Sequence, residues 1–319
     1  MGMTRELKLA IYGKMYLAQR WEAGLFRLIE QGLVSGIYHA GRGHEGAEVG
    51  AVTALRNDDY LFYDHRGCAH IIAKGVDLAA LYGDFLGNLR GSTHGLGAGI
   101  VHVCDPSHGI MGQSGTLGRG QILAAGAALS AYLRDTDQVS MHFFGDGAAN
   151  VGTFHEAANV AGAWKLPLIF VVQNNGWAVS VPVSYSTGGG GFARRADAYG
   201  MAGIVVDGSD AFAVYEAATD AVARARRRDG PTIIEAKVTR MRGHFEGDAE
   251  KYRQSKADRD DAATDPVLIA RSRLLSEGVS QAELQTLESE VHHQLDAALR
   301  EAKQADMPTR ERIFDGVYV

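Results

Sequence analysis

The sequence predicts an α/β protein with a mostly parallel sheet flanked by helices. Three observations predict it. Apolar runs of strand length alternate with helical stretches through the middle of the chain. Two of those strands, VSMHFFGDG and PLIFVVQNN, end in polar or glycine residues that suit the ligand-facing rim of such a sheet. The chain has 319 residues, of which 46% are hydrophobic, enough for one large domain with an extension or for two modest domains.

The elements follow in order. Residues 4–32 predict one amphipathic helix, with Leu7, Ile11, Met15, Leu25, Leu28 and Ile29 forming its apolar stripe. Residues 45–56 predict a second helix, NDDYLFYDHRG a short strand entering a loop, and residues 77–89 a further helix. The glycine-rich stretch 91–120 holds three histidines and little periodicity, which predicts a long functional loop. GQILAAGAALSAYLRD is a helix of small residues, able to pack close to a neighbour. The strand VSMHFFGDG, the helix GTFHEAANVAGAW and the strand PLIFVVQNN come next. SYSTGGGGFARRADAYG predicts a second flexible loop, followed by the strand GIVVDG, the helix DAFAVYEAATDAVARARRRDG and the strand PTIIEAKVTR. From residue 245 the chain turns polar, and 283–305 predicts a long helix that wraps a domain or docks on a subunit. The expected organisation is a single domain over 1–319, with an N-terminal helical arm at 1–32 and a C-terminal helical extension at 245–319.

Composition excludes several classes of function. The net charge is −6 and no long basic run occurs, which argues against nucleic acid. No stretch reaches the 18 or so apolar residues of a membrane span. The N-terminus has helical rather than signal-peptide patterning, and Glu6 stands where a myristoylation signal wants Ser or Thr. Cys68 and Cys104 form neither a disulfide framework nor a zinc pattern, which fits a reducing, cytoplasmic compartment.

The segment 145–175 carries the most chemistry. Asp146 lies between Gly145 and Gly147 at the end of one strand, and Asn175 closes the next. Their oxygens, with the backbone carbonyl of Trp177, suit a hard cation such as Mg²⁺ whose other ligands are phosphate oxygens and water. Gly145 and Gly147 allow a sharp turn and a close ligand. Ala148 and Ala149 open the next helix, whose free N–H groups suit phosphate. A GDG on its own is only a tight turn; the second strand ending in NNGW turns it into a site.

This segment resembles the thiamine diphosphate motif, GDG followed by about thirty residues ending in NN. From about residue 5 to the terminal IFDGVYV the chain resembles the α subunit of the first component of 2-oxo acid dehydrogenase complexes, of the pyruvate, acetoin and branched-chain types. YDHRGCAHIIAKG, GIVH, GTLG, AANVGTFHEAANVAGAWKLPLIF and RMRGHFEGD carry the resemblance, in the family's order. The resemblance implies a thiamine diphosphate-binding fold with Asp146, Asn175 and the Trp177 carbonyl on Mg²⁺. It implies Arg66 on the diphosphate and backbone bonds from Gly115 and Leu117 to the aminopyrimidine. It makes His244 the histidine of reductive acyl transfer to lipoamide, places His65 and His102 near substrate, and has Arg240 help order the His244 loop. Departures also occur. Phe245 replaces a serine that is often regulatory, Cys68 replaces a common histidine, GLGAGIVH lacks the usual Gly-Ser-Met-His, and Gly189 to Gly191 lengthen a loop.

The glutamate that activates the thiamine ring is missing from this half. The resemblance implies that a β subunit supplies it in an α₂β₂ heterotetramer, with a lipoyl-bearing acyltransferase as acceptor and a 2-oxo acid or acetoin as substrate. The alternatives are a stand-alone decarboxylase or carboligase without a lipoyl acceptor, and a binding subunit without chemistry. A third is a nicotinamide dehydrogenase, read from GRGHEG at 41–46 with Asp64 as ribose ligand.

Overall fold

The computed structural model describes residues 2–34, 36–97, 102–253, 262–315 and 317. Six strands form one parallel sheet: β1 (Tyr60–Asp64), β2 (Ile110–Ser114), β3 (Ser140–Gly145), β4 (Leu168–Asn174), β7 (Ala202–Asp207) and β8 (Thr232–Lys237), in the order β2-β1-β3-β4-β8-β7. A small antiparallel pair, β5 (Trp177–Ala178) and β6 (Val181–Pro182), stands outside it.

Side-chain alternation along the central strands makes two cores. Met141 and Phe143 of β3, with Ile169 and Val171 of β4, belong to one cluster. Phe144, Leu168, Phe170 and Val172 belong to the other. Successive residues of a strand point to opposite faces, so these clusters cover the two sides of the sheet. Burial on both faces explains why the β3 and β4 segments read as continuous apolar runs. The first cluster is roofed by α1 (Arg5–Glu30), α2 (Glu45–Thr53), α3 (Ala69–Lys74), α4 (Leu78–Leu86), α8 (Ala211–Arg226), α9 (Pro266–Ser276) and α10 (Gln281–Gln304). The second is roofed by α5 (Arg119–Leu133) and α6 (Gly152–Ala163). A single helical turn, α7 (Val183–Ser186), follows β6.

α1 and α10 stand where helices are expected over 4–32 and 283–305. Thr4 caps α1 by accepting from the Leu7 amide at 3.3 Å, and the arm buries Ile11, Met15, Trp21 and Leu25. α10 packs along α1 and α4 of its own chain, with Leu284, Val291, Leu295, Ala298 and Ala302 buried.

Four expectations are corrected. The 91–120 stretch is not one loop, because it contains β2, an edge strand paired only with β1. Gly112 within it (φ 118°) and a register shift opposite Leu61 and Phe62 erase the alternation that would reveal a strand. The 184–200 stretch holds α7 and a 3₁₀ segment over Ala193–Tyr199, tied down by Glu235 of β8, which accepts from the Phe192 and Ala193 amides at 2.8 and 2.9 Å. Ala148 and Ala149 do not open the helix. They lie in a three-residue 3₁₀ turn, Val151 is extended (φ −80°, ψ 151°), and α6 begins at Gly152.

The fourth correction concerns the glycines of GRGHEG. Among the described residues no strand precedes them, so they are not a dinucleotide turn. They serve helix packing. A Cβ at Gly43 (φ 90°) would sit 1.9 Å from the Thr239 carbonyl oxygen, and one at Gly46 2.5 Å from that of Gly208. Asp64 is buried 3.5 Å from His142, away from any such turn.

Candidate active site

The carboxyl ends of β1, β3, β4 and β8 open on one rim of the sheet, where parallel α/β sheets place their ligands. Asp146 follows β3 and Asn175 follows β4. Their oxygens converge on one amide: Trp177 N donates to Asp146 Oδ2 at 3.0 Å and to Asn175 Oδ1 at 3.1 Å. Gly147 N donates to Asp146 Oδ1 at 2.7 Å. Burial pushes the Asp146 carboxyl above its usual value, while the amides of Gly147, Gly176 and Trp177 and the charge of Arg240 pull it back. Gly145 and Gly147 work through proximity rather than through a sharp turn. Neither has a positive φ, a Cβ at Gly147 would press on that of Ala178 at 2.8 Å, and a Cβ at Gly145 would meet open space.

Two buried guanidiniums stand at the β1 and β8 ends of the sheet, and the charge of Arg240 reaches Asp146. Arg66 donates to the Ala40 carbonyl at 2.8 Å, and its Nη2 donates to His244 Nδ1 at 3.0 Å and to the His244 carbonyl at 3.1 Å. Burial, followed by the charge of Arg240, lowers its pKa to about 10. Arg240 donates from Nη2 to the Val179 carbonyl at 3.0 Å and to the Tyr252 hydroxyl at 2.7 Å. Val179 holds φ 56° in the hairpin between β5 and β6, an unfavourable conformation for a β-branched residue. Nε and Nη1 of Arg240 are buried and have no partner among the described residues. Neither arginine is ion-paired among the described residues. Buried donors left open cost free energy unless an acceptor arrives, and an anion is the acceptor that suits two guanidiniums whose charges act on each other.

The third part of the site is a group of imidazoles. His39, His65 and His244 bring ligand nitrogens within 4.8 Å of one another. Burial, with the Arg66 charge as a further cause, lowers His39 to about 3, His65 to about 2 and His244 to about 4, so all three are neutral near pH 7. A guanidinium only donates, so the Arg66 contact makes His244 Nδ1 an acceptor and leaves the proton on Nε2. The same guanidinium disfavours a metal cation among these rings, which stand as neutral hydrogen-bonding groups along one wall. Asp248 holds the His244 backbone, accepting from its amide at 2.8 Å and from the Tyr252 hydroxyl at 2.5 Å.

These groups border a cavity of about 340 Å³ lined by His39, His65, Gln113, Gly115, Leu117 and His244. An adjoining cavity of about 520 Å³ shares Gln113 and Gly115 and holds His102 with Arg119 and Ile122. The structure thus gathers Arg66, Asp146, Asn175, Trp177 and His244 on one rim and places Gly115 and Leu117 beside His65. His102 stands apart from the imidazole group, exposed in the neighbouring cavity.

Sequence reasoning missed three residues. His39 is an isolated histidine between helices, and nothing in its neighbourhood marks it. His44 Nε2 lies 3.5 Å from Asn175 Nδ2, from within a motif read for another purpose. Tyr252 joins Arg240 to the His244 loop from a polar stretch without periodicity.

Strand-end oxygens beside buried, open guanidinium donors fit the class of α/β proteins that hold a diphosphate group. Comparison with known proteins narrows the class. The family model of the dehydrogenase E1 component matches residues 13–311. The chain is 40% identical over 319 residues to the α subunit of acetoin:2,6-dichlorophenolindophenol oxidoreductase of Cupriavidus necator, covering 99% of this chain and 96% of the relative. It is 37% identical over 321 residues to the subunit of the same name in Bacillus subtilis, covering 100% and 96%. It is 33% identical over 317 residues to the pyruvate dehydrogenase E1 component subunit alpha of Zymomonas mobilis, covering 99% and 89%. The chain belongs to the dehydrogenase E1 component family, as an α subunit of the 2-oxo acid or acetoin dehydrogenase kind. Thiamine diphosphate dependence comes with that family.

Proposed function

We propose that this chain holds the diphosphate end of thiamine diphosphate, together with Mg²⁺, for cleavage of acetoin or a small 2-oxo acid. The observation that carries the reading is Arg240, fully buried, with Nε and Nη1 open among the described residues and its charge acting on Asp146. Asp146, Asn175 and the Trp177 carbonyl hold the cation, and Arg66 and Arg240 hold the phosphates. Ala148 lies in the turn after Asp146, where its backbone faces the same group. Gly115 and Leu117 line the cavity in which the aminopyrimidine sits.

When bound, the cofactor supplies the nucleophilic carbon that attacks a carbonyl and the electron sink that stabilises the resulting carbanion. The chain's residues position, exclude water and handle protons. His244, fixed by Arg66 with its proton on Nε2, donates to the reacting oxygen or to the acceptor that takes the acyl group. His65 presents a neutral imidazole to the substrate, and His102 serves the same cavity system from its far side. Acetoin is the preferred substrate, because the two most similar of the relatives described are named for it.

A β subunit, in an α₂β₂ heterotetramer, supplies the glutamate that activates the thiamine ring, and a lipoyl-bearing acyltransferase takes the acyl group. The work takes place in the cytoplasm, in keeping with two cysteines that form no disulfide. No helix among the described residues is long and apolar enough to cross a membrane. The test is reconstitution. The chain with its β subunit, thiamine diphosphate and Mg²⁺ is expected to reduce 2,6-dichlorophenolindophenol when given acetoin, and the chain alone is not. Steady turnover by the chain alone, or none by the pair with acetoin or any 2-oxo acid, overturns the reading.

A further inference from the structure

Glu235 is buried near the end of β8, where nothing in the reading above uses it. Its carboxylate joins two segments far apart in sequence. Oε1 accepts from Asn174 Nδ2 at 2.7 Å and from Lys237 Nζ. Oε2 accepts from the Phe192 and Ala193 amides at 2.8 and 2.9 Å. Asn174 in turn accepts from the Gly176 amide through Oδ1 at 3.1 Å. The two asparagines at the end of β4 therefore have different jobs. Asn175 turns its oxygen toward Trp177 N and the cation position. Asn174 faces inward and shapes the 174–177 turn that presents Asn175 and Trp177.

On the other side of Glu235, Gly191 (φ 141°) brings the glycine-rich stretch so close that a Cβ there would lie 3.1 Å from Oε2. Burial works against the Glu235 charge, but Lys237, the Ala193 amide and Asn174 outweigh it and hold the carboxyl below its usual value. A charged, fully satisfied acceptor gives both arms well-defined geometry.

We propose that Glu235 is a positioning residue that couples loading of the cation turn at 174–177 to ordering of the 187–193 segment through Asn174. This rests on the cofactor reading above. Groups that orient metal ligands in this way typically change metal affinity by about 10–100-fold when altered. A carboxamide in place of the carboxylate turns an NH₂ toward one arm, which it releases, and leaves an uncharged oxygen that holds the other arm more weakly.

The test uses the chain in complex with its second subunit. Mg²⁺ is titrated calorimetrically at saturating thiamine diphosphate, and hydrogen exchange is followed at Phe192 and Ala193 with and without both ligands. In the wild type, loading is expected to slow exchange at these two amides. Glu235→Gln should bind Mg²⁺ about 10–100-fold more weakly, exchange faster at both amides, and lose the response to loading. Asn174→Ser cuts only the cation arm. It should weaken Mg²⁺ binding to a similar degree and keep wild-type exchange in the unloaded state, without the response to loading.

Wild-type Mg²⁺ affinity in both variants, or exchange at 192–193 indifferent to loading in the wild type, overturns the coupling alone. No binding of thiamine diphosphate by the wild type overturns the cofactor reading and the coupling with it.

Discussion

The two ends of the site are built on opposite principles. At the β3 and β4 end, both Asp146 oxygens and the Asn175 amide oxygen are already supplied with backbone N–H groups. At the β1 and β8 end, among the described residues, Arg240 buries donors with nothing to bond, and Arg66 bonds two carbonyls and an imidazole. The first end keeps its shape without a ligand. The second carries an electrostatic demand that an anion relieves. Shape and demand thus come from different strands, and the diphosphate and cation proposed above would answer both.

The largest expected effect is at the shaped end. Asp146→Ala removes a charged oxygen from the cation position, and cofactor affinity should fall by more than the ~100-fold that outer-shell changes cost, measured by calorimetry with Mg²⁺ present. Retained affinity would show that the β3 end holds no cation.

Arg240→Met comes next and separates binding from folding. Two charge-assisted bonds to phosphate are lost, worth at least about 3 kcal/mol together, or ~150-fold in affinity. The ligand-free protein should lose little stability, because removing a buried cation with open donors offsets the lost bonds to Val179 and Tyr252. A large loss of ligand-free stability would mean that the guanidinium serves the fold.

Glycines sharpen the contrast further. Gly43→Ala meets the Thr239 carbonyl at a positive φ and should cost more than ~2 kcal/mol in denaturant unfolding. Gly145→Ala meets open space, so the fold should be nearly unchanged while cofactor affinity drops. Equal stability losses would erase the distinction between packing and site glycines.

The smallest effect is in pH dependence. His39, His65 and His244 have folded-state values of about 3, 2 and 4 against an ordinary 6.5. Between about pH 6.5 and 4 the unfolded chain takes up protons that the folded chain refuses, so stability falls as pH falls through that window. His244→Asn should flatten the slope of melting temperature against pH between 7 and 5. An unchanged slope would place the loss elsewhere.

The legible parts of this molecule share a physical cause. β3 and β4 are buried on both faces, so their sequences are continuously apolar, and their ends stand out as GDG and NN. The arm and α10 carry full amphipathic stripes. β2 was illegible because an edge strand with Gly112 and a register shift loses its alternation. The helix start was misplaced at Ala148 because no side chain announces where a 3₁₀ turn yields to α6. The GRGHEG glycines looked like a ligand turn, since a glycine needed for close helix packing has the same letter as one needed for phosphate.

By itself the sequence determined the α/β class and the strand-end pair Asp146 and Asn175, because each is a local pattern at a fixed spacing; Arg66 and His244 followed only from the resemblance of their motifs to a family. Only the tertiary structure decided that His39 joins His65 and His244, that Arg240 is buried with open donors, and that Glu235 ties Asn174 to residues 192–193. These depend on which chain segments meet at the rim of the sheet. Burial, hydrogen-bond satisfaction and the charge state of an imidazole are properties of that meeting, set by neighbours distant in sequence.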